Sequence, residues 1–226
     1  MLASEFKEIM TVRGVRWYGS EIFELSLERE GLPFTPGDCL ALFAADGRVS
    51  RPYSIASGTD EEVIRFVIRQ MPGGEVTPFL AARQPGEAVR VSPPFGWFRP
   101  GQHATKRPCV MLATGTGIAP FLSALRSDPA LEPAALLYGV RQVSDLIDAE
   151  WLVERTGARI AISRDKSDVY FHGRITALLE QTTLPADADY YLCGLDAMID
   201  EVTIWLEARS IDISRIHREC FFNSSY

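Results

Sequence analysis

The sequence predicts two domains, a small antiparallel β-domain followed by an α/β domain on a doubly wound parallel sheet. Three observations predict it. The chain has 226 residues, enough for two modest domains. Up to about Arg99, short β-rich stretches are separated by glycine and proline turns. From Cys109 onward the order becomes strand, turn, helix, repeated.

In the front half, Val63-Ile64-Arg65-Phe66-Val67-Ile68-Arg69 is β-rich with partial alternation. Turns stand at Pro36-Gly37, Asp46-Gly47, Gly58, Pro72-Gly73-Gly74 and Pro85-Gly86. Strands at such spacing imply a small antiparallel barrel or sandwich. One helix interrupts them: Thr77 is the expected N-cap, with Pro78 at the first helical position. The polar, apolar-poor stretch Pro100–Pro108 reads as a linker. The expected boundaries are a first domain at 1–100, a linker at 101–107 and a second domain at 108–226.

In the rear half the expected strands are Cys109–Ala113, Ala135–Tyr138, Ala158–Ser163 and Tyr190–Cys193, with Arg215–Phe222 as a fifth. The expected helices are Ile118–Leu125, Asp145–Arg155, Ile175–Leu179 and Ala197–Ala208. In the last, Met198, Val202, Trp205 and Leu206 fall at i, i+4, i+7 and i+8, one apolar face. A parallel sheet of this kind binds ligands at the carboxyl ends of its strands.

Composition narrows the function classes. Net charge is −7, which argues against nucleic acid as a partner. The acidic excess lies mostly behind residue 105, which points to the front half as the face for an acidic partner. Residues 1–8 show no apolar run, and no window reaches the roughly 18 apolar residues of a membrane span, so no signal peptide and no membrane insertion are expected. Cys39, Cys109, Cys193 and Cys220 lie far apart, and His103, His172 and His217 are isolated. Neither set has metal-ligand or cluster spacing, so no metal is expected and reduced thiols in a cytoplasm are the simplest reading.

Several short stretches carry chemistry. Arg51-Pro52-Tyr53-Ser54 joins a cationic fork, a stiff residue, an aromatic and a hydroxyl, a set that a flavin needs. Taken alone it also describes an edge strand with a surface Arg and a packed Tyr. Arg69 to Thr77, with Gly73 and Gly74, ends at a helix start and can cradle a pyrophosphate, or it is a glycine turn before a capped helix. Thr114-Gly115-Thr116-Gly117-Ile118-Ala119-Pro120 follows a strand and opens a helix, with Pro120 where a dinucleotide fingerprint has its third glycine. Ser163, Arg164 and Arg174 can hold a 2′-phosphate, whereas Asp165 keeps NAD open. Cys193-Gly194 ends a strand beside the same crevice, and Cys193 alone also reads as a small core residue.

The order of these stretches is more specific than any one of them. Arg51/Tyr53/Ser54, the glycine–Thr77 cradle, Ser92–Phe98, Thr114–Pro120, Tyr138–Arg141, Ser163-Arg164, Cys193-Gly194 and an aromatic tail follow one another. This resembles the ferredoxin–NADP reductase superfamily over nearly the whole chain. The resemblance implies a flavin-binding antiparallel β-barrel followed by an NAD(P)-binding α/β domain. It implies that Arg51, with Pro52 in the same turn, contacts the flavin diphosphate, that Tyr53 stacks on the ring and that Ser54 hydrogen-bonds near N5. It assigns Arg69, Gly74, Val76 and Thr77 to the flavin cradle. Thr114, Gly115 and Gly117 would line the nicotinamide nucleotide, with Arg141 near its pyrophosphate and Ser163, Arg164 and Arg174 at the 2′-phosphate. Cys193 would lie near C4 of the nicotinamide, and Tyr226 or Phe221 would cover the flavin. Glu219 stands seven residues before Tyr226, while Ser224 occupies the place of the plant-type carboxylate two residues before the end.

The activity so implied is hydride transfer from NADPH, with NADH possible, to FAD, then single-electron delivery to a separate ferredoxin or flavodoxin. The rival readings are a reductase component of a multicomponent oxygenase, a free-flavin reductase, or a non-catalytic flavoprotein module. The catalytic residues expected are Ser54, Cys193 and Tyr226.

Overall fold

In a computed structural model, residues 8–102 and 107–222 are described, so the expectations placed on Tyr226 and His103 lie outside the described residues. The chain divides into two compact units. One takes in the chain up to Trp97 together with Ala119–Pro129, and the other takes in Phe98–Ile118 and the chain from Ala130 onward.

In the first unit, β1 (Ile9–Tyr18) and β2 (Ile22–Glu28) form a hairpin whose turn contains Gly19 at φ 62°. A register shift between Val12 and Gly14 bends β1. On β2, Phe23, Leu25 and Leu27 are buried while Glu24, Ser26 and Glu28 keep partial exposure. That alternation turns one face of the strand inward. β3 (Cys39–Phe43) and β4 (Ser50–Ser54) form a second ribbon. β5 (Val63–Arg69) pairs with β2, and β6 (Ala88–Arg90) pairs with β1.

The four-strand order is β5-β2-β1-β6. Isolated bridges Leu42↔Val91 and Cys39↔Phe95 tie β3 to the segment after β6, and Ile55↔Phe66 ties the end of β4 to β5. The ribbon thereby closes the curled sheet into an antiparallel barrel. Its core holds Phe23, Leu25, Leu40, Leu42, Phe66 and Val89, all fully buried. Each such side chain stabilises the fold by about 1.5–3 kcal/mol.

The helix expected to start at Thr77 begins earlier: α1 spans Val76–Ala81 with Glu75 at its N-cap. Thr77 is a residue inside that helix, and its hydroxyl accepts from the Met71 N–H at 2.8 Å. The bond to the preceding turn draws the threonine away from the cap position.

In the second unit the strands are β7 (Cys109–Thr114), β8 (Ala135–Val140), β9 (Arg159–Ile162), β10 (Phe171–His172), β11 (Asp189–Leu195) and β12 (Ile216–Phe222). They form one parallel sheet in the order β10-β9-β8-β7-β11-β12. β7 and β11 are buried almost end to end, as strands covered on both faces must be. The helices are α2 (Ala119–Ser127), α3 (Ala149–Thr156), α4 (Ile175–Glu180) and α5 (Asp196–Glu207). On α5, Met198, Val202 and Leu206 are buried and Trp205 packs at the margin of the core, the face expected from the spacing.

The single helix expected at Asp145–Arg155 is two pieces. A 3₁₀ turn at Val143–Asp145 is followed by α3, and Asp148 between them sits in the left-handed region at φ 47°. A non-glycine residue there breaks helical continuity. The short strand β10 lies in the Lys166–Gly173 stretch, which carries no strong β pattern.

Segment α2 follows β7 in the chain but is packed within the first unit. Ser123 Oγ donates to Ser57 O at 2.9 Å, Arg126 Nη1 donates to Ala56 O at 2.8 Å, and the Thr59 N–H donates to Ser127 Oγ at 3.0 Å. These bonds hold the loop that leaves β4.

Candidate functional site

The first unit carries its candidate residues on β4 and on the turn after β5. Arg51 and Tyr53 share one face of β4, and Pro52 and Ser54 the other. Arg51 is exposed, and its guanidinium donates to the neighbouring Ser50 O at 2.7 Å. Among the described residues it meets no carboxylate. Arg69, by contrast, is committed to an ion pair with Glu21. Tyr53 packs against the barrel core. Burial pushes its phenol up to about 12, against the smaller opposing effect of the Arg51 charge, so it stays neutral at ordinary pH.

Ser54 is 3% exposed. Its Oγ lies 3.2 Å from Cys39 Sγ, directly across the β3–β4 ribbon. Sequence reasoning missed Cys39, because only strand register brings it to Ser54. In the turn before α1, Gly73 has φ 77° with open space around it, and Gly74 N donates to Met71 O at 3.0 Å. α1 has no side-chain cap. An uncapped helix start and an arginine without a carboxylate fit a diphosphate, and a neutral half-buried phenol fits a flat apolar ring. The residues present therefore fit a flavin dinucleotide.

The second unit places its candidates at the carboxyl end of the parallel sheet. β7 lies between β8 and β11, so the chain order reverses there, the position at which such sheets bind ligands. Thr114 closes β7, and its Oγ1 accepts from the Leu195 N–H at 3.0 Å. Gly194 has φ 135°, and a Cβ there would run into Thr114 Oγ1 and the Thr114 backbone. A Cβ on Gly117 would overlap the Cys193 carbonyl. The missing side chain at 117 thus admits the chain's own β11 backbone, where the spacing had pointed to a ligand. Gly115, at φ 55°, opens the 3₁₀ turn Gly115–Ile118.

Cys193 is fully buried and donates through Sγ to Glu219 Oε2 at 3.9 Å, its register partner on β12. Register then slips between Gly194 and Leu195, which leaves half-buried Phe221 as the extra residue of a bulge.

Beyond β8 and β9, the Ser163 N–H donates to Val140 O at 3.1 Å and the Arg164 N–H donates to Arg141 O at 2.8 Å. Arg141, Ser163 and Arg164 are thereby brought together. Arg141 and Arg164 are exposed, and neither guanidinium has a carboxylate partner among the described residues. Asp165 is held by the Val143 N–H, donated to its Oδ2 at 2.9 Å. The Gly173 N–H donates to Ile162 O at 2.9 Å, so Arg174 starts α4 at the same sheet end, with Nη1 3.9 Å from Glu201 Oε1. Two exposed guanidiniums at strand ends fit a phosphorylated dinucleotide.

Among the described residues no group of three His, Cys, Asp or Glu is placed to hold a metal, and the four cysteines are free. No described helix is long and apolar enough to cross a membrane.

Residues 19–99 match the oxidoreductase FAD-binding domain, and residues 111–203 match the oxidoreductase NAD-binding domain. The toluate 1,2-dioxygenase electron transfer component of Pseudomonas putida is 29% identical over 95% of this chain and 67% of its own length. Ferredoxin–NADP reductase A of Sorangium cellulosum is 30% identical over 89% of this chain and 83% of its own. The chain spans 59–67% of the length of the dioxygenase-system relatives it matches. The crystal structure of a ferredoxin NADP+ reductase from Neisseria gonorrhoeae, with FAD and NADP bound, superposes with a TM-score of 0.84 at 20% identity, covering 95% of this chain and 98% of that one. With both domain models matched in order, and 30% identity over most of a full-length reductase, the chain belongs to the ferredoxin–NADP reductase superfamily.

Proposed function

We propose that this oxidoreductase takes hydride from NADPH onto FAD and delivers electrons one at a time to a separate ferredoxin- or flavodoxin-type carrier. The observation that carries the reading is the arrangement at the sheet's switch point, where Thr114 Oγ1 accepts from the Leu195 N–H and the Cys193 thiol faces Glu219.

Bound FAD supplies two-electron acceptance and one-electron release. The chain's residues do the rest. Arg51 neutralises the diphosphate, with Gly74, Val76 and Thr77 shaping the turn around it. Tyr53 offers a neutral ring face, and Ser54 offers a hydroxyl. Thr114 and Gly115 hold the nicotinamide end, while the Cys193 thiol keeps its proton aimed at the Glu219 carboxylate. Arg141 serves the pyrophosphate of the nicotinamide dinucleotide. Ser163, Arg164 and Arg174 recognise the 2′-phosphate. Phe221 or Tyr226 shields the ring. Asp165, with its carboxylate fixed beside Arg164, supports NADH as the alternative donor.

A second reading is the reductase component of a multicomponent oxygenase. The similarity to the toluate dioxygenase component favours it.

Stopped-flow reduction by NADPH and by NADH, read at the flavin absorbance, tests the proposal. Fast reduction by NADPH followed by one-electron transfer to a ferredoxin or flavodoxin supports it. A protein that cannot be reconstituted with flavin overturns it, and efficient transfer only to an oxygenase partner selects the second reading.

A further inference from the structure

Cys39 is held on both sides. Its N–H donates to Phe95 O at 2.6 Å, and its carbonyl accepts from the Phe95 N–H at 3.0 Å. On the other edge it is paired in register with Ser54. With its backbone fixed by two neighbours, the direction of its side chain is fixed too. It is buried, and its Sγ lies 3.2 Å from Ser54 Oγ.

We propose that the Cys39 thiol is a positioning residue that sets the orientation of the Ser54 hydroxyl proton. The proposal rests on the reading that Ser54 addresses the flavin. A thiol and a hydroxyl can each donate or accept, so the pair has two arrangements. In one, Cys39 donates to Ser54 Oγ, and the serine proton is left for an acceptor such as N5 of an oxidised flavin. In the other, Ser54 donates to Cys39 Sγ, and the serine oxygen is left for a donor such as the N5–H of a reduced flavin. The same two atoms thus accommodate both oxidation states without moving the backbone. An apolar side chain at position 39 would remove this choice and leave the hydroxyl rotor unset.

The test compares Cys39→Ala and Cys39→Ser, which leave nearly the same volume and differ in hydrogen bonding. Single-turnover flavin reduction and the visible absorption bands of the bound oxidised flavin are measured in both. They are also measured in Ser54→Ala and in Cys39→Ala/Ser54→Ala. The expected result is that Cys39→Ala slows reduction about two- to tenfold, the range of one neutral hydrogen bond, and shifts the flavin bands. Cys39→Ser should restore both, and Cys39→Ala should add nothing in the Ser54→Ala background. Equal rates and spectra for Cys39→Ala and Cys39→Ser overturn the proposal, as does an undiminished effect of Cys39→Ala when Ser54 is already alanine. If Ser54→Ala itself changes neither rate nor spectrum, the assignment of Ser54 to the flavin falls instead.

Discussion

The Cys193 thiol and the Glu219 carboxylate face each other across neighbouring parallel strands, Sγ 3.9 Å from Oε2. Cys193 directly precedes Gly194, where β11 approaches Thr114. Replacing Glu219 by Gln keeps the shape and removes the charged acceptor of the thiol. Flavin reduction by the preferred nicotinamide should slow by about tenfold, the worth of one charge-assisted hydrogen bond. Nicotinamide affinity should stay near the wild-type value. Stopped-flow rates set against a binding titration separate the two.

Gly194→Ala tests the close approach of β11 to Thr114. The new Cβ would meet Thr114 Oγ1 and backbone, at a φ of 135° that side chains seldom adopt. The expected loss is about 1–3 kcal/mol or more, seen as a lower thermal midpoint. Thr114→Val, which removes the acceptor of the Leu195 N–H, should give a smaller loss of about 1 kcal/mol.

Arg164→Ala tests the 2′-phosphate assignment. A guanidinium without a carboxylate partner has its charge available for a ligand. The KM for NADPH should rise at least tenfold while that for NADH barely moves. Asp165→Asn should shift the preference the opposite way, towards NADPH, because it removes a negative charge fixed by Val143.

Alkaline stability should follow acids whose pKa burial raises, Cys109 and Tyr53 among them, with Tyr190 and Tyr191 raised in the same direction. Burial lifts Cys109 from 9.0 to about 11, its own backbone hydrogen bond opposing and the Asp189 charge adding, and lifts Tyr53 from 10.0 to about 12. In both cases the folded state keeps a proton that the unfolded chain releases sooner. Their contribution to stability is therefore fully present below pH 9 and lost as pH rises to about 12. Urea midpoints measured across that window should fall, and Cys109→Ala should flatten the part between pH 9 and 11.

Much of this could be read from residues alone, for identifiable reasons. The shift from glycine-punctuated β stretches to alternating strand and helix is a local property, and so is the apolar face of Met198, Val202 and Leu206. Five of the six strands of the second unit lie within one or two residues of their expected bounds, and the short β10 had no expected counterpart. What escaped depends on partners distant in sequence. Cys39 meets Ser54 only through strand register, and Gly117 is small because of Cys193, far along the chain. Thr77 looked like a cap, because the Met71 N–H that claims its hydroxyl follows from a turn rather than from a pattern. Asp148, at φ 47°, broke a helix that its composition allowed to continue.

The loan of Ala119–Pro129 to the first unit bears on how this protein could be recombined. A chimera joined at Trp97–Phe98, with a front half from one relative and a rear half from another, would separate Ala56, Ser57 and Thr59 from the Ser123, Arg126 and Ser127 that evolved to meet them. A viable swap has to carry both stretches from the same parent. The seam that shuffling could respect is therefore interleaved along the chain, and no single crossover point reproduces it.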